Sequence, residues 1–231
     1  VPGELADGLA LLAAPARAAA EDVLCGANSL DALPSGARVG TSSVRRIAQL
    51  RAAREDIELV AMHGNVDTRL RKLAAGELDA IVLAQAGLQR LGREDALGAT
   101  LDPLRFVPAP GQGTLALQAR ADDAQACAAL TAIGDDATLT CLLAERALAR
   151  ELGAGCDTPL GAWATLDGEV LHLRAWVGLP DGSAWIADEL RGAETAPEEL
   201  GRAVAKRLES AGAEEILRAA RGWPDIALPR P

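Results

Sequence analysis

The spacing of apolar and polar positions changes character twice along the chain. Through residues 1–36 no period is sustained: Pro2, Pro15 and Pro34 interrupt the stretch, and only Leu9–Ala14 forms a short apolar run. From Arg38 the pattern becomes regular. Arg38-Val39-Gly40 predicts a short strand, Val44 to about Arg54 a helix, and Ile57–Ala61 a strand of β-branched and apolar residues. Gly64-Asn65 predicts a turn, Val66–Ala75 a helix stopped by Gly76, Asp79–Ala84 another strand and Gly87–Leu91 a short helix. Strands alternating with helices in this way predict a parallel sheet with crossover helices.

Residues 101–113 break the alternation. Leu101-Asp102-Pro103 and Pro108-Ala109-Pro110-Gly111-Gln112-Gly113 read as a loop or hinge. Thr114–Gln118 follows as a strand and Asp122–Ile133 as a helix. A second helix runs from Asp135-Asp136 to Leu152, its acidic start suited to the positive end of a helix dipole. The pattern then changes again. Trp163–Leu166, Val170–Val177 and Ala184–Leu190 predict three strands, joined by turns at Asp167-Gly168 and Pro180-Asp181-Gly182 into an antiparallel meander. Ala196–Ala211 and Ala213–Arg221 are helical. The tail from residue 135 reads as a separate α+β domain.

Composition alters this picture little. With 231 residues and 49% hydrophobic content, the chain can fill one large domain or two ordinary ones. Only 2% of residues are aromatic, so the core is built from Ala, Leu, Val and Ile. The net charge of −10 argues against general nucleic-acid binding, and any basic cluster stands out against it. No apolar run reaches the length of a membrane span, and Val1-Pro2-Gly3-Glu4 does not read as a signal peptide. Cys25, Cys127, Cys141 and Cys156 form no CxxC pair, and with only His63 and His172 beside them no zinc cluster is expected. The cytosol is the expected compartment, with no membrane or nucleic-acid partner.

Four segments could carry chemistry. In Gly40-Thr41-Ser42-Ser43-Val44-Arg45-Arg46 a strand ends in Gly, hydroxyls follow and a helix begins. Free N–H groups and the helix dipole suit an anion there, and two guanidinium forks suit carboxylates or phosphates. The bland reading, an ordinary capped helix with surface arginines, weighs equally on these residues alone. His63-Gly64-Asn65-Val66-Asp67-Thr68-Arg69 also opens a helix directly after a strand. Two such turns from one parallel sheet point to the same edge, so Arg69 could reach the same crevice. Pro108–Gly113 offers Gln112 as a polar contact. Gly153-Ala154-Gly155-Cys156-Asp157-Thr158-Pro159-Leu160-Gly161 places Cys156 after a helix C-terminus, where the dipole opposes a thiolate. Cys156 is thus a poor general nucleophile, able to react only with a strong electrophile delivered to it.

In this order, Gly40–Arg46, Gly64–Leu70, Pro110–Gly113 and Gly155–Gly161 resemble the signatures of the porphobilinogen deaminase (hydroxymethylbilane synthase) family. Leu83–Leu91 and Ala144-Glu145-Arg146 support the match, which runs over essentially the whole chain. The resemblance implies an α/β fold with lobes like those of periplasmic binding proteins, followed by a small α+β domain with a three-stranded antiparallel sheet. Residues 1–15 and 114–133 would be the remnant of an incomplete first domain, 16–113 the second with the hinge, and 135–231 the third. It implies a monomeric transferase that joins four porphobilinogen molecules, with loss of ammonia, into a linear tetrapyrrole. A dipyrromethane cofactor would be attached by a thioether to Cys156. Thr41, Ser42, Ser43, Arg45, Arg46, Gly64 and Asn65 would hold the cofactor, and Arg69, Gln112 and His63 the substrate. His63 departs from the family's usual arginine, replacing a permanent fork with a pH-dependent donor. The family's catalytic aspartate lies in a segment ending Lys-Asp-Val-Pro, and this sequence opens at Val1-Pro2, so no catalytic residue is matched. An N-terminally truncated member is expected, with a non-catalytic fragment that only binds carboxylated pyrroles as the alternative.

Overall fold

One sheet, buried on both faces, accounts for the apolar runs between residues 22 and 84. The computed structural model of the chain describes residues 5–155 and 157–221. Its first strands are β1 (Leu9–Ala13), β2 (Asp22–Cys25), β3 (Arg38–Gly40), β4 (Glu58–Val60), β5 (Ala80–Ala84) and β6 (Ala99–Thr100). Five of them form a sheet in the order β4-β3-β5-β2-β6. Helices α1 (Val44–Ala53), α2 (Val66–Ala74) and α3 (Gln85–Arg90) connect them. On one face Leu24, Val39, Leu59 and Val82 pack with Ile47 and Leu50 of α1. On the other, Val23, Val60, Ile81 and Leu83 pack with Leu70 of α2 and Leu88 of α3. Successive strand residues go to opposite faces, and both faces are covered, so the strands read as unbroken apolar runs.

The sheet is mixed, which corrects the expectation of a parallel one. Strand β3 is parallel to β4 and β5, but β2 is antiparallel to β5 and β6. Strands β1 and β2 both lie in the stretch expected to be irregular. All four residues of β2 are buried, so the strand shows no alternation for a period to detect.

Strand β7 (Leu117–Arg120) pairs antiparallel with β1, with a register shift between Leu11 and Ala13. It starts three residues later than expected because Ala109–Thr114 is taken up by tight turns: Gln112 N–H donates to Ala109 and Thr114 N–H to Gly111. Helix α4 (Ala124–Thr131) is shorter than the predicted span and is capped by Asp123.

The C-terminal elements are α5 (Asp136–Glu151), β8 (Leu160–Asp167), β9 (Val170–Gly178), β10 (Trp185–Ala193), α6 (Pro197–Ser210) and α7 (Ala213–Arg221). The meander is antiparallel throughout, in the order β10-β9-β8, and its strands are longer than the sequence suggests. One face, with Leu171, Leu173, Ala175 and Val177, packs under α5, α6 and α7. The other presents Trp163, Trp176 and Ala187 to Ala48 of α1 and to Val107. Each fully buried Leu here contributes about 1.5–3 kcal/mol. Gly161 lets β8 approach this closely, since a Cβ there would lie 2.6 Å from the Val107 carbonyl oxygen. Among the described residues no single helix is long and apolar enough to cross a membrane.

A buried ion pair joins these parts. Glu145 of α5 is wholly buried and accepts from Arg17 Nη1 (2.7 Å), Gly111 N–H (2.5 Å) and Ala164 N–H (2.7 Å). Arg17 also donates from Nε to the Gln112 carbonyl (2.9 Å). One carboxylate therefore ties the segment before β2, the 108–113 loop, α5 and β8. Burial pushes the Glu145 carboxyl up, and Arg17 and the two amides oppose the shift. Replacing Arg17 with Met would leave that carboxylate buried without its cation. Denaturant unfolding should show Arg17→Met destabilised by about 3–5 kcal/mol, whereas breaking the exposed Arg218–Glu214 pair should leave the transition in place.

Candidate functional site

Because β3 and β4 run parallel, the turns that follow them open on the same edge of the sheet. They are sewn together by hydroxyls. Ser42 Oγ donates to the Met62 carbonyl (2.7 Å) and accepts from Met62 N–H (2.8 Å). Thr41 is fully buried; its N–H donates to Val60 (3.0 Å) and its Oγ1 accepts from Ser43 N–H (3.3 Å). These two side chains therefore bind the neighbouring backbone. Ser43 caps α1, accepting from Arg46 N–H, and Asn65 caps α2, accepting from Thr68 N–H (2.9 Å). Gly64 sits at φ +107°, and a Cβ there would crowd the Thr68 methyl at 3.0 Å, so the tight entry to α2 needs glycine.

The arginines of α1 converge on a carboxylate that sequence reasoning passed over. Asp22, the first residue of β2, is 1% exposed. Its Oδ2 accepts from Arg45 Nη2 (2.8 Å), and its Oδ1 from Arg46 Nη2 (2.7 Å) and Nε (3.0 Å). Gln112 completes the ring: its Nε2 donates to Asp22 Oδ1 (2.9 Å) and to the Ala20 carbonyl (2.5 Å), and its Oε1 accepts from Arg45 Nη2 (3.3 Å). Arg45 Nη1 reaches the Val107 carbonyl (2.8 Å) and Gln49 Oε1 (3.2 Å). The arginines expected to face a ligand are thus partly neutralised from within. In sequence Asp22 follows Glu21 in a stretch without a sustained period, so nothing local set it apart. Burial pushes the Asp22 carboxyl up, but the charges and hydrogen bonds of Arg45 and Arg46 outweigh it and hold it below the ordinary carboxylate range.

Two guanidiniums against one carboxylate leave a positive remainder, and α2 adds to it. Arg69 is half-buried, with Nε donating to the Gly64 carbonyl (2.9 Å). Burial first, and then the positive charge of Arg46, push its pKa down. Arg46 and Arg69 therefore share a field that an anion would relieve. His63, Gly64 and Asn65 lie exposed at the α2 turn.

A cavity of about 360 Å³ adjoins this cluster. Ser43, Arg45, Thr114, Leu142, Arg146 and Gly155 are among its walls. Two buried polar atoms in those walls, Arg45 Nε and Thr114 Oγ1, have no hydrogen-bond partner among the described residues. Cys156 lies outside the described residues, but its neighbours Gly155 and Thr158 line this cavity. Thr114 and Arg146 also line the cavity; no motif contained Thr114, and Arg146 stood in a supporting segment without a site role. Burial lowers the Arg146 pKa, as does Arg150. Burial pushes the Cys25 and Cys141 thiols up to about 11, which makes both inert. Among the described residues no cluster of His, Cys, Asp and Glu could hold a metal ion.

Comparison with known proteins agrees with this picture. Residues 1–128 match a domain described as porphobilinogen deaminase, dipyromethane cofactor binding domain, and residues 139–210 match the porphobilinogen deaminase C-terminal domain. A porphobilinogen deaminase of Roseiflexus is 45% identical over 219 residues, covering 94% of this chain and 72% of the relative. Those of Xanthomonas oryzae and Chromobacterium violaceum are 46% and 45% identical, covering 95% and 97% of the chain and 73% of each relative.

The depressed Asp22 carboxyl has a definite pH signature. Its folded pKa lies below the unfolded value of about 3.9, so the ion triad stabilises the fold above that pH and is lost as pH falls through the folded value. Asp22→Asn should therefore be markedly less stable than wild type at pH 7. Urea unfolding from pH 7 down to pH 3 should show the gap narrowing as the wild-type carboxylate protonates.

Proposed function

The chain belongs to the porphobilinogen deaminase family, and we propose that the intact protein works as that enzyme. It is a transferase that joins four porphobilinogen molecules, releasing ammonia, into the linear tetrapyrrole hydroxymethylbilane, in tetrapyrrole and haem biosynthesis. The alternative of a module that binds pyrroles without turnover has no support in the comparisons.

The observation that carries this reading is the cavity between the arginine cluster and the Cys156 loop. The walls suit a dipyrromethane. An unpartnered guanidinium N–H and an unpartnered hydroxyl sit in the wall beside apolar Leu142 and Leu160, matching a ligand with carboxylates on flat apolar rings. When bound, that group supplies the primer to which porphobilinogen is joined, through a thioether to Cys156.

Each residue then has a part that follows from its place. Arg46 and Arg69 offer charge to acetate and propionate carboxylates entering at the sheet edge. Arg45 forms part of the cavity wall while Asp22, Gln49 and Gln112 hold its fork. Ser43 and Thr114 add hydroxyls at the wall. Thr41, Ser42, Gly64 and Asn65 give the two turns their shape, and His63 stands at the rim. Cys156 needs no local base, because the reacting partner is an electrophile.

Three separate sheets support a division into a first unit of residues 1–15 and 114–133, a second of 16–113 and a third of 135–231, with the first two as lobes of the periplasmic-binding-protein kind. The reading includes a cytoplasmic monomer that binds porphobilinogen and pyrrole-chain intermediates and no nucleic acid or membrane; the net charge of −10 supports the exclusion of nucleic acid. Intact-mass spectrometry of the purified full-length protein should find the added mass of a dipyrromethane, and Cys156→Ala should lack it. An unmodified wild-type mass would sink the assignment.

A further inference from the structure

Aromatic side chains are scarce in this chain: one Phe, four Trp and no Tyr. Yet Trp176 and Trp185 line a single cavity of about 260 Å³, where the outer face of the β8–β10 meander meets α1. Arg105, Arg174, Gln49 and Leu104 share its walls, and no acidic side chain does. Arg105 lies over the Phe106 ring, 5.5 Å from its centroid. Arg174 spends Nη1 on Glu189 (2.5 Å), a carboxylate that also lies 3.6 Å from His172, and its Nε is a buried N–H with no acceptor among the described residues. In a chain of net charge −10, two guanidiniums against one carboxylate make this a second basic spot, separate from the sheet edge.

We propose that this cavity is a binding site for a single-ring aromatic carboxylate. Two indole side chains in the walls suit a ring, and the Arg105 and Arg174 guanidiniums beside them suit the carboxylate. Size sets the limit. Sites for drug-sized ligands run from roughly 300 to 1,000 Å³, so about 260 Å³ suits one ring better than a tetrapyrrole. The site is wired to the arginine cluster through Gln49. That side chain is 3% exposed, accepts from Arg45 Nη1 and donates to the Val107 carbonyl (3.1 Å), so an occupant pressing on Gln49 acts on the residue that holds Arg45. The inference goes beyond the tetrapyrrole reading and does not depend on it.

Titration of the purified protein with benzoate, followed by tryptophan fluorescence and calorimetry, tests the site. Saturable binding is expected. Arg174→Gln and Trp185→Ala should each weaken it by about tenfold or more, as loss of a charge-assisted hydrogen bond or a stacking face implies. Trp185 is 54% exposed, so its replacement leaves the fold intact. Arg69→Gln, at the sheet edge, should leave binding unchanged, and uncharged benzamide should not bind. Any other pattern overturns the proposal: no saturation, binding removed by Arg69→Gln, or binding indifferent to either cavity variant. Porphobilinogen turnover, unchanged by Trp185→Ala, reports separately on the enzymatic reading.

Discussion

A carboxylate removed from water must be met by a cation and by hydrogen-bond donors, or it will not stay ionised. Two such groups organise this molecule. Asp22 enters the central sheet at the start of β2 and draws in Arg45, Arg46 and Gln112. Glu145 sits in the middle of α5 and draws in Arg17 and the amides of Gly111 and Ala164. The two clusters touch through one residue, because Gln112 gives its side chain to Asp22 and its carbonyl to Arg17. The Asp22 cluster is satisfied only with the sheet, α1 and the 108–113 loop in place, and the Glu145 cluster only with that loop, α5 and β8 in place. Such groups add little net stability compared with apolar residues of the same shape. Their effect is to single out one arrangement of the segments, since a misplaced segment would leave a buried charge unmet.

The same demand determines what the arginines can offer a ligand. Arg45 and Arg46 lie side by side on α1, and without Asp22 their charges would repel in a poorly hydrated site. With it they keep a net positive remainder and a fixed orientation. That is the condition for strong electrostatic stabilisation, in which dipoles and charges are set before the ligand arrives. Arg45 consequently serves mainly as part of the wall, held at every nitrogen except Nε. Arg46, less buried, and Arg69, with no carboxylate partner among the described residues, remain the cations nearer the open edge.

Much of this was legible in the amino-acid sequence. Helices α1 and α2 announce themselves through Ser43 and Asn65 at their caps, and the meander through two Gly-containing turns. What escaped was non-local. Strand β2 is four buried residues long and carries no period, so the antiparallel half of the central sheet left no trace in the pattern. Asp22 looked like one acid among many in a chain with 33 of them, because only the fold brings α1 against β2. Thr41 and Ser42 read as ligand hydroxyls, and the structure spends them on stitching two turns together. Local sequence shows which groups can bond, but burial and long-range pairing decide which ones remain available.

Cysteine shows the rule at its sharpest. Cys25 and Cys141 lie in the packed interior, where an apolar setting holds the proton on sulfur at any physiological pH. Cys141 is further disfavoured by the carboxylate of Glu145, one helical turn away. Selectivity among the thiols therefore does not require an activated cysteine. It is helped by the silencing of Cys25 and Cys141, which leaves Cys127 as the half-buried competitor among the described residues, and by a cavity able to bind the incoming group. Gly155 and Thr158 are in the wall of that arginine-lined cavity. The chemistry proposed for Cys156 thus draws on what the fold denies Cys25 and Cys141.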